Sequence, residues 1–416
     1  MALSDVVQSV IRFRQSEPRR TTAWRAETEL TPFFQPIIDI SKGCVAGYEA
    51  LARKRDANGQ YVSAGALFCN PTIDKEHILA LDRQVRRKAM EKARDMPADC
   101  FLAVNISPEW MRLVSQHGAL PTINMAEELG INPAQVLVEF TESKGDERVL
   151  EACAKRYRAA GMRIAIDDFG AGYSQLDRII AMEPDLIKLD MRLFKKAMQG
   201  GVTNEVVQSV AYLAERTGSQ IICEGVETEE EFFFAMECGA RFIQGFLFHP
   251  ALPEFLDPYE PQSKVGLLLD RFVNHKIDEE ELHVNYLKGM ESLASRLKQT
   301  VLKDERFFEH LPDAPDGFLR FYLCDYSGVQ ISPNYEWQGL SRRSGMWMAN
   351  YESQGHNWAF RPYFYQMLAT ERLTHREMVY SRPYQDRATG AMCQTVGCHL
   401  DFERILFLDI RYPMPG

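Results

Sequence analysis

Between residues 30 and 255, short apolar runs alternate with longer segments whose apolar residues recur at three- and four-residue steps. The runs are FFQPII, VAGYEALAR, FLAVNI, VLVEF, RIAIDD, DLIKLD, QIICEG and RFIQGF. Intervening stretches such as HILALDRQVRRKAMEKA carry the helical period. Eight strands alternating with helices predict an α/β fold of the TIM-like (β/α)8 barrel type. Only DISKGC separates the first two runs, too short for the dozen or so residues of a parallel crossover. The first strand is therefore expected to run antiparallel to the second.

The flanking segments follow different patterns. Residues 1–29 read as a helical leader broken near Pro18. Residues 256–312 form a long helical linker, in which Leu287, Met290, Ala294, Leu297 and Val301 recur on one stripe. That stripe suits either packing on a domain or a seam with a second copy. From 313 to 416 the chain becomes β-rich, with GFLRFYLCD, GVQISPNY, REMVYSRPYQD, AMCQTVGCHL and RILFLDIRY around one helix, WAFRPYFYQMLATERL. This predicts a small α+β domain.

The polar residues of the barrel runs fall at their carboxyl ends. Glu49 and Arg53 lie in or at the end of the second run, Asn105 ends the third and Glu139 the fourth. Asp167 and Asp168 close the fifth, Lys188 and Asp190 the sixth, Glu224 the seventh and Gln244 the eighth. Barrels of this kind build their active sites at that face. Any single position could be a helix cap, but a series of seven is hard to explain that way. Five carboxylates cannot share one mouth as bare anions; they must hold protons or divalent cations. An all-oxygen ligand set suits Mg²⁺ or Mn²⁺. The adjacent Asp167 and Asp168 allow two ions about 3.5–4 Å apart, an arrangement suited to phosphodiester hydrolysis.

Composition narrows the setting. The net charge of −10 argues against a partner that is a nucleic-acid polymer. Arg53 and Lys188 would supply the local positive charge a phosphate needs. The nine cysteines are scattered without a CxxC pair, which predicts free thiols and a cytoplasmic setting. No run is long and apolar enough for a signal peptide or a membrane span. DDFG carries the kinase DFG triplet without its companion motifs, and GAGYSQ lacks the third glycine of a dinucleotide fingerprint.

In order and spacing, YEALAR, VNIS, VEFTES, IAIDDFGAGYSQL, PDLIKLD, CEGVETEEE and QGF resemble EAL-domain cyclic di-GMP phosphodiesterases. The resemblance covers residues 30–255. It implies a first metal held by Glu49, Asn105, Glu139 and Asp167, and a second held by Asp167 and Asp168 with Glu224. Glu49, Lys188, Glu224 and Gln244 become catalytic, with Lys188 orienting or deprotonating the attacking water. Arg53, Gln35, Asp190 and Phe246 become substrate contacts, with Phe246 standing where a tyrosine is usual. Glu142 and Asp190 read as supporting or structural residues more than as ligands, and the role of Asp82 stays open. Glu227 would hold the glycine loop that follows Asp168. Family members linearise cyclic di-GMP to 5′-pGpG with Mg²⁺ or Mn²⁺, are inhibited by Ca²⁺, and often act as dimers.

Residues 313–416 resemble the PAS/Cache-like domain of YkuI-type EAL proteins. That implies a regulatory domain with room for an unidentified small ligand, lined by Trp358, Arg361 and Tyr363; in the alternative, these residues only pack and pair locally. Two functions remain open: a regulated phosphodiesterase, or a receptor that binds cyclic di-GMP without cutting it.

Overall fold

The computed structural model describes residues 29–68, 70, 72–106, 120–140, 147–171, 175–303, 306–341, 344–373 and 378–412. Residues 1–28 of the expected leader, and Glu142, lie outside them. The chain divides into two compact units, Met1–Asp270 and Arg271–Gly416.

The first unit is built on strands β1 (Thr31–Asp39), β2 (Cys44–Arg55), β3 (Tyr61–Ser63), β4 (Phe101–Ile106), β5 (Val136–Phe140), β6 (Arg163–Phe169), β7 (Leu186–Leu189), β8 (Gln220–Glu224) and β9 (Ala240–Gln244). Strands β2 and β4 to β9 pair in parallel succession. β1 pairs antiparallel with both β2 and β9 and closes the barrel. The short β3 is a hairpin partner of β2 outside the closed set. All eight apolar runs are barrel strands, and β1 has the reversed direction its short connection requires.

The strand period of two explains how the barrel turns from apolar to polar along its axis. Ile37, Phe101, Ala103, Leu137, Ala165, Leu186, Ile222 and Phe242 fill the interior as one cluster. Two positions beyond five of these residues stand Asn105, Glu139, Asp167, Lys188 and Glu224, with Gln244 two beyond Phe242. Gly47 leaves space for the ring of Phe101, since a Cβ there would lie 2.5 Å from its Cδ2. The outer strand faces bury Ile106, Val138, Phe140, Ile164, Ile166 and Ile187 against the helices.

The helix Gln262–Lys303 begins in the first unit, where Val265 and Leu268 join the barrel's outer core. In the second unit Met290, Leu293, Ala294, Leu297 and Val301 pack on a sheet, so the stripe seen in sequence is a packing face. That sheet comprises β10 (Phe318–Asp325), β11 (Asn334–Ser341), β12 (Ser344–Asn350), β13 (Met378–Tyr380), β14 (Tyr384–Gln385), β15 (Met392–His399) and β16 (Arg404–Arg411). Its order is β12-β11-β10-β16-β15-β13, with β14 pairing β15. Phe321, Leu323, Leu406 and Leu408 face the long helix, while Tyr322, Cys324, Ile405 and Phe407 face the helix Pro362–Leu373. That second helix starts at Pro362, later than the apolar pattern suggested, because proline at the first helical position disfavours a helical residue before it.

Candidate active site

The closed barrel brings the strand-end polar residues together around Lys188. Its side chain is 1% exposed, and Nζ lies 2.7 Å from Glu224 Oε1, 2.9 Å from Asp167 Oδ1, 3.1 Å from Glu139 Oε1 and 3.2 Å from Glu49 Oε2. Glu49 is held from several sides. Asn105 Nδ2 donates to its Oε1 at 2.9 Å, and Gln244 Nε2 donates to its Oε2 at 2.7 Å. Gln244 Nε2 also reaches Gln35 Oε1 at 3.3 Å, and Gln35 is the register partner of Glu49.

The charges do not balance. Five carboxylates face one lysine, and a single cation cannot direct its hydrogens at four oxygens. Both oxygens of the fully buried Glu139 and Asp167 Oδ1 accept no well-directed hydrogen bond, despite the nearby ammonium. Burial, reinforced by its anionic neighbours, pushes the Glu139 carboxyl well up, against the pull of Lys188. Burial likewise pushes Glu224 up to about 8 and Asp168 up to about 6. Burial also works against the Glu49 anion, but Lys188, Gln244 and Asn105 outweigh it and hold Glu49 below its ordinary value. Burial opposes the charge on Lys188 too, yet the surrounding carboxylates raise it well above the ordinary lysine value.

This donor set fits divalent cations. Glu49, Glu139 and Asp167 each offer an oxygen within 4.8 Å of the others, and so do Asp167, Asp168 and Glu224. Asp167 belongs to both trios. Hard oxygen ligands with unsatisfied lone pairs match Mg²⁺ or Mn²⁺ chemistry. Asp168 reaches its place through a left-handed backbone, φ 54°, a conformation costing a non-glycine residue about 1–3 kcal/mol.

The remaining predicted residues lie around this centre or apart from it. Arg53 is half-buried near Glu49, donates to Ala52 O at 3.1 Å and stacks near Phe33. Phe246 is 67% exposed. Asp190 caps the helix Met191–Ala197, its Oδ1 accepting from the N–H groups of Arg192 at 3.0 Å and Leu193 at 3.3 Å. Glu227 accepts from Lys195 Nζ at 3.0 Å; residues 172–174 of the loop it was expected to hold lie outside the described residues. Asp82 pairs with Arg86 one turn along its own helix, and Arg86 donates to Thr122 Oγ1 at 3.1 Å.

Sequence reasoning missed Lys195 and Glu231, which brace Glu227. Lys195 also contacts Glu231 at 3.2 Å, and Glu231 Oε2 takes the Glu227 N–H at 2.6 Å. Thr228 and Glu231 form a capping box, and its T-x-x-E spacing was the available signal. In the second unit, Trp358 donates to Gln330 Oε1 at 2.9 Å and Tyr363 meets Tyr322 at 3.2 Å. Arg361 lies over the rings of Phe360 and Tyr384. These three expected pocket residues are engaged in local packing.

Comparison with known proteins adds to this geometry. The family described as EAL domain matches residues 19–251, and one described as EAL-domain associated signalling protein domain matches residues 264–414. The chain is 27% identical over 392 residues to the uncharacterized EAL-domain containing protein YkuI of Bacillus subtilis, covering 92% of this chain and 95% of that protein. The crystal structure of the B. subtilis protein, in complex with substrate c-di-GMP and calcium, aligns with a TM-score of 0.80 at 26% identity, covering 92% of this chain and 97% of that one. The cyclic di-GMP phosphodiesterase RocR of Pseudomonas aeruginosa is 31% identical over 240 residues, 55% of this chain and 59% of that relative's length.

Proposed function

The chain belongs to the EAL-domain family, and from that premise we propose that its barrel hydrolyses cyclic di-GMP to linear 5′-pGpG. The observation that carries this reading is the pair of carboxylate trios sharing Asp167, with buried oxygens that no hydrogen bond satisfies. Glu49, Asn105, Glu139 and Asp167 would hold one Mg²⁺ or Mn²⁺, and Asp167, Asp168 and Glu224 a second. Two such ions supply charge neutralisation at a phosphodiester and make a bound water a nucleophile at neutral pH.

The residues of the chain itself do the rest. Lys188 Nζ, held within 3.2 Å of four of the carboxylates, is placed to orient or deprotonate the attacking water. Gln244 and Gln35 fix the Glu49 carboxylate from the β9 and β1 sides. Arg53 stands four positions after Glu49 on the same strand face and meets a substrate phosphate. Phe246 offers an exposed ring for a guanine base. Asp190 contributes by fixing the start of a helix.

A regulatory role for the second unit extends the proposal, as a PAS/Cache-like domain with a small-molecule signal. Val273, Ile277 and Val284 are exposed on one stripe of the long helix, an apolar strip that a second copy would cover in a homodimer. Among the described residues no helix is long and apolar enough to cross a membrane, and we place the enzyme in the cytoplasm. A second reading, a receptor that binds without cutting, draws on Lys188 sitting where it contacts four carboxylates at once.

Incubating the full chain with cyclic di-GMP and Mg²⁺, Mn²⁺ or Ca²⁺ separates the two. The phosphodiesterase reading expects pGpG with Mg²⁺ or Mn²⁺ and inhibition by Ca²⁺. Asp167→Asn should lower turnover by about a thousandfold, on the order of losing a group that stabilises developing charge. Tight binding with no product from metal-loaded protein would establish the receptor.

A further inference from the structure

We propose that the short helix Met191–Ala197, which follows Lys188 by three residues, positions the loops after β6 and β8 and through them Asp168 and Glu224. Met191, Leu193 and Lys195 are its positioning residues. The inference rests on the metal-site reading above and extends it to side chains that touch neither substrate nor ion.

The helix has one anchored side. Phe194 and Ala197 are fully buried, and the Phe194 ring lies 5.3 Å from that of Phe234. Its start is tied to β6, because the Asp190 N–H donates to Phe169 O at 3.1 Å while its carboxylate caps the helix. From this base the side chains at 191, 193 and 195 reach the two loops.

Leu193 packs against Gly170, two residues after Asp168. A Cβ on Gly170 would lie 2.2 Å from Leu193 Cδ2, and φ there is 111°, so only glycine fits beneath the leucine. Met191 covers Gly225, the residue after Glu224, where a Cβ would lie 2.4 Å from Met191 Cγ at φ 66°. Lys195 then bridges Glu227 at 3.0 Å and Glu231 at 3.2 Å, closing the β8 loop onto the helix. Glu231 in turn accepts the N–H groups of Glu227 and Thr228. One rigid element thus touches the glycines just beyond the ends of β6 and β8, the strands that carry the second trio, and it is continuous with the strand that carries Lys188. Glu49 and Glu139, the carboxylates peculiar to the first trio, lie on β2 and β5 rather than on the two strands whose ends this helix braces. Asp168 needs it most, since its left-handed backbone must be held by its surroundings.

The test is a Mn²⁺ titration of the full chain, followed by calorimetry and by electron paramagnetic resonance of the bound ion. Wild type should bind two ions. Leu193→Ala and Lys195→Met should each weaken one of them by about tenfold, the range seen when supporting contacts of a metal site are removed, and leave the other within about twofold. Leu193→Met should restore the weakened site. Lys195→Met removes only a partly exposed ion pair, so it carries the test even if Leu193→Ala fails to fold. Equal weakening of both sites, or two unaltered sites, in folded Lys195→Met would overturn the inference. A wild type that binds no Mn²⁺ would overturn the metal-site reading, and the inference with it.

Discussion

Both units bury a cluster of charge, and the two clusters are built on opposite terms. In the second unit Arg320 faces Asp409 and Asp386. Its Nε donates to Asp409 Oδ2 at 2.8 Å, and Nη2 donates to Asp386. Thr395 donates to Asp409 Oδ1 at 2.8 Å, and Thr389 satisfies Asp386 Oδ2 at 2.7 Å. The carboxylate oxygens there have partners, so the cluster is complete as it stands. At the barrel mouth one lysine faces five carboxylates, and both Glu139 oxygens and Asp167 Oδ1 accept no well-directed hydrogen bond. A finished network specifies a fold, whereas an unfinished one specifies a ligand.

Removing a carboxylate from each cluster should therefore give opposite results. Asp409→Ala strips Arg320 Nε and Thr395 Oγ1 of their acceptor, leaving Arg320 only Asp386, and should cost the second unit about 1–3 kcal/mol. Urea unfolding followed by hydrogen exchange, resolved by unit, reads this directly. Glu139→Gln in metal-free protein should leave the barrel as stable as wild type or slightly more so, because it removes a buried carboxyl whose ionisation its surroundings already oppose. The same substitution should abolish the share of Mn²⁺ stabilisation that comes from the first site, about 2.7 kcal/mol at a hundredfold excess over its dissociation constant. Equal losses in the two variants would erase the distinction between the clusters.

A smaller effect separates them by pH. In the metal-free fold Glu224 holds its proton up to about 8, against 4.5 ordinarily. The folded barrel therefore binds that proton more tightly than the unfolded chain, and stability falls as pH rises from about 4.5 to about 8. Asp168, raised to about 6, adds a loss of the same sign over the lower part of the range. Asp386 behaves oppositely. Burial works against its anion, but Thr389 and Arg320 prevail and lower its pKa. Its contribution is present above the ordinary aspartate range, near 4, and is lost as pH falls through the lowered value. Hydrogen exchange in chelator should show the barrel loosening toward pH 8 and the second unit loosening in acid. A barrel indifferent to pH between 5 and 8 would remove the electrostatic basis of the comparison.

The barrel was legible because its strands obey a period of two, and one alternation carries both core and site. Leu137 and Glu139, Ala165 and Asp167, Leu186 and Lys188 are consecutive inward positions, so locating the apolar member located the polar one. Contacts between elements distant in sequence left no such trace. Nothing in MRLFKKA announces that Leu193 will lie under Gly170 or that Lys195 will meet Glu227, because those meetings depend on how a short helix docks. The helix-capping role of Asp190 appears only with the backbone in place. The strand Ser344–Asn350 went unread because SGMWMAN has little alternation; it is a strand by virtue of pairing with Asn334–Ser341.

The central claim is that the barrel mouth lacks positive charge and that divalent ions complete it. Calorimetric titration of chelated, full-length protein with Mn²⁺ near pH 8 tests it most directly, with wild type and Glu139→Gln side by side. The account predicts two ions for wild type and the loss of one in the variant. No bound ion in wild type, or the same two in Glu139→Gln, would contradict it.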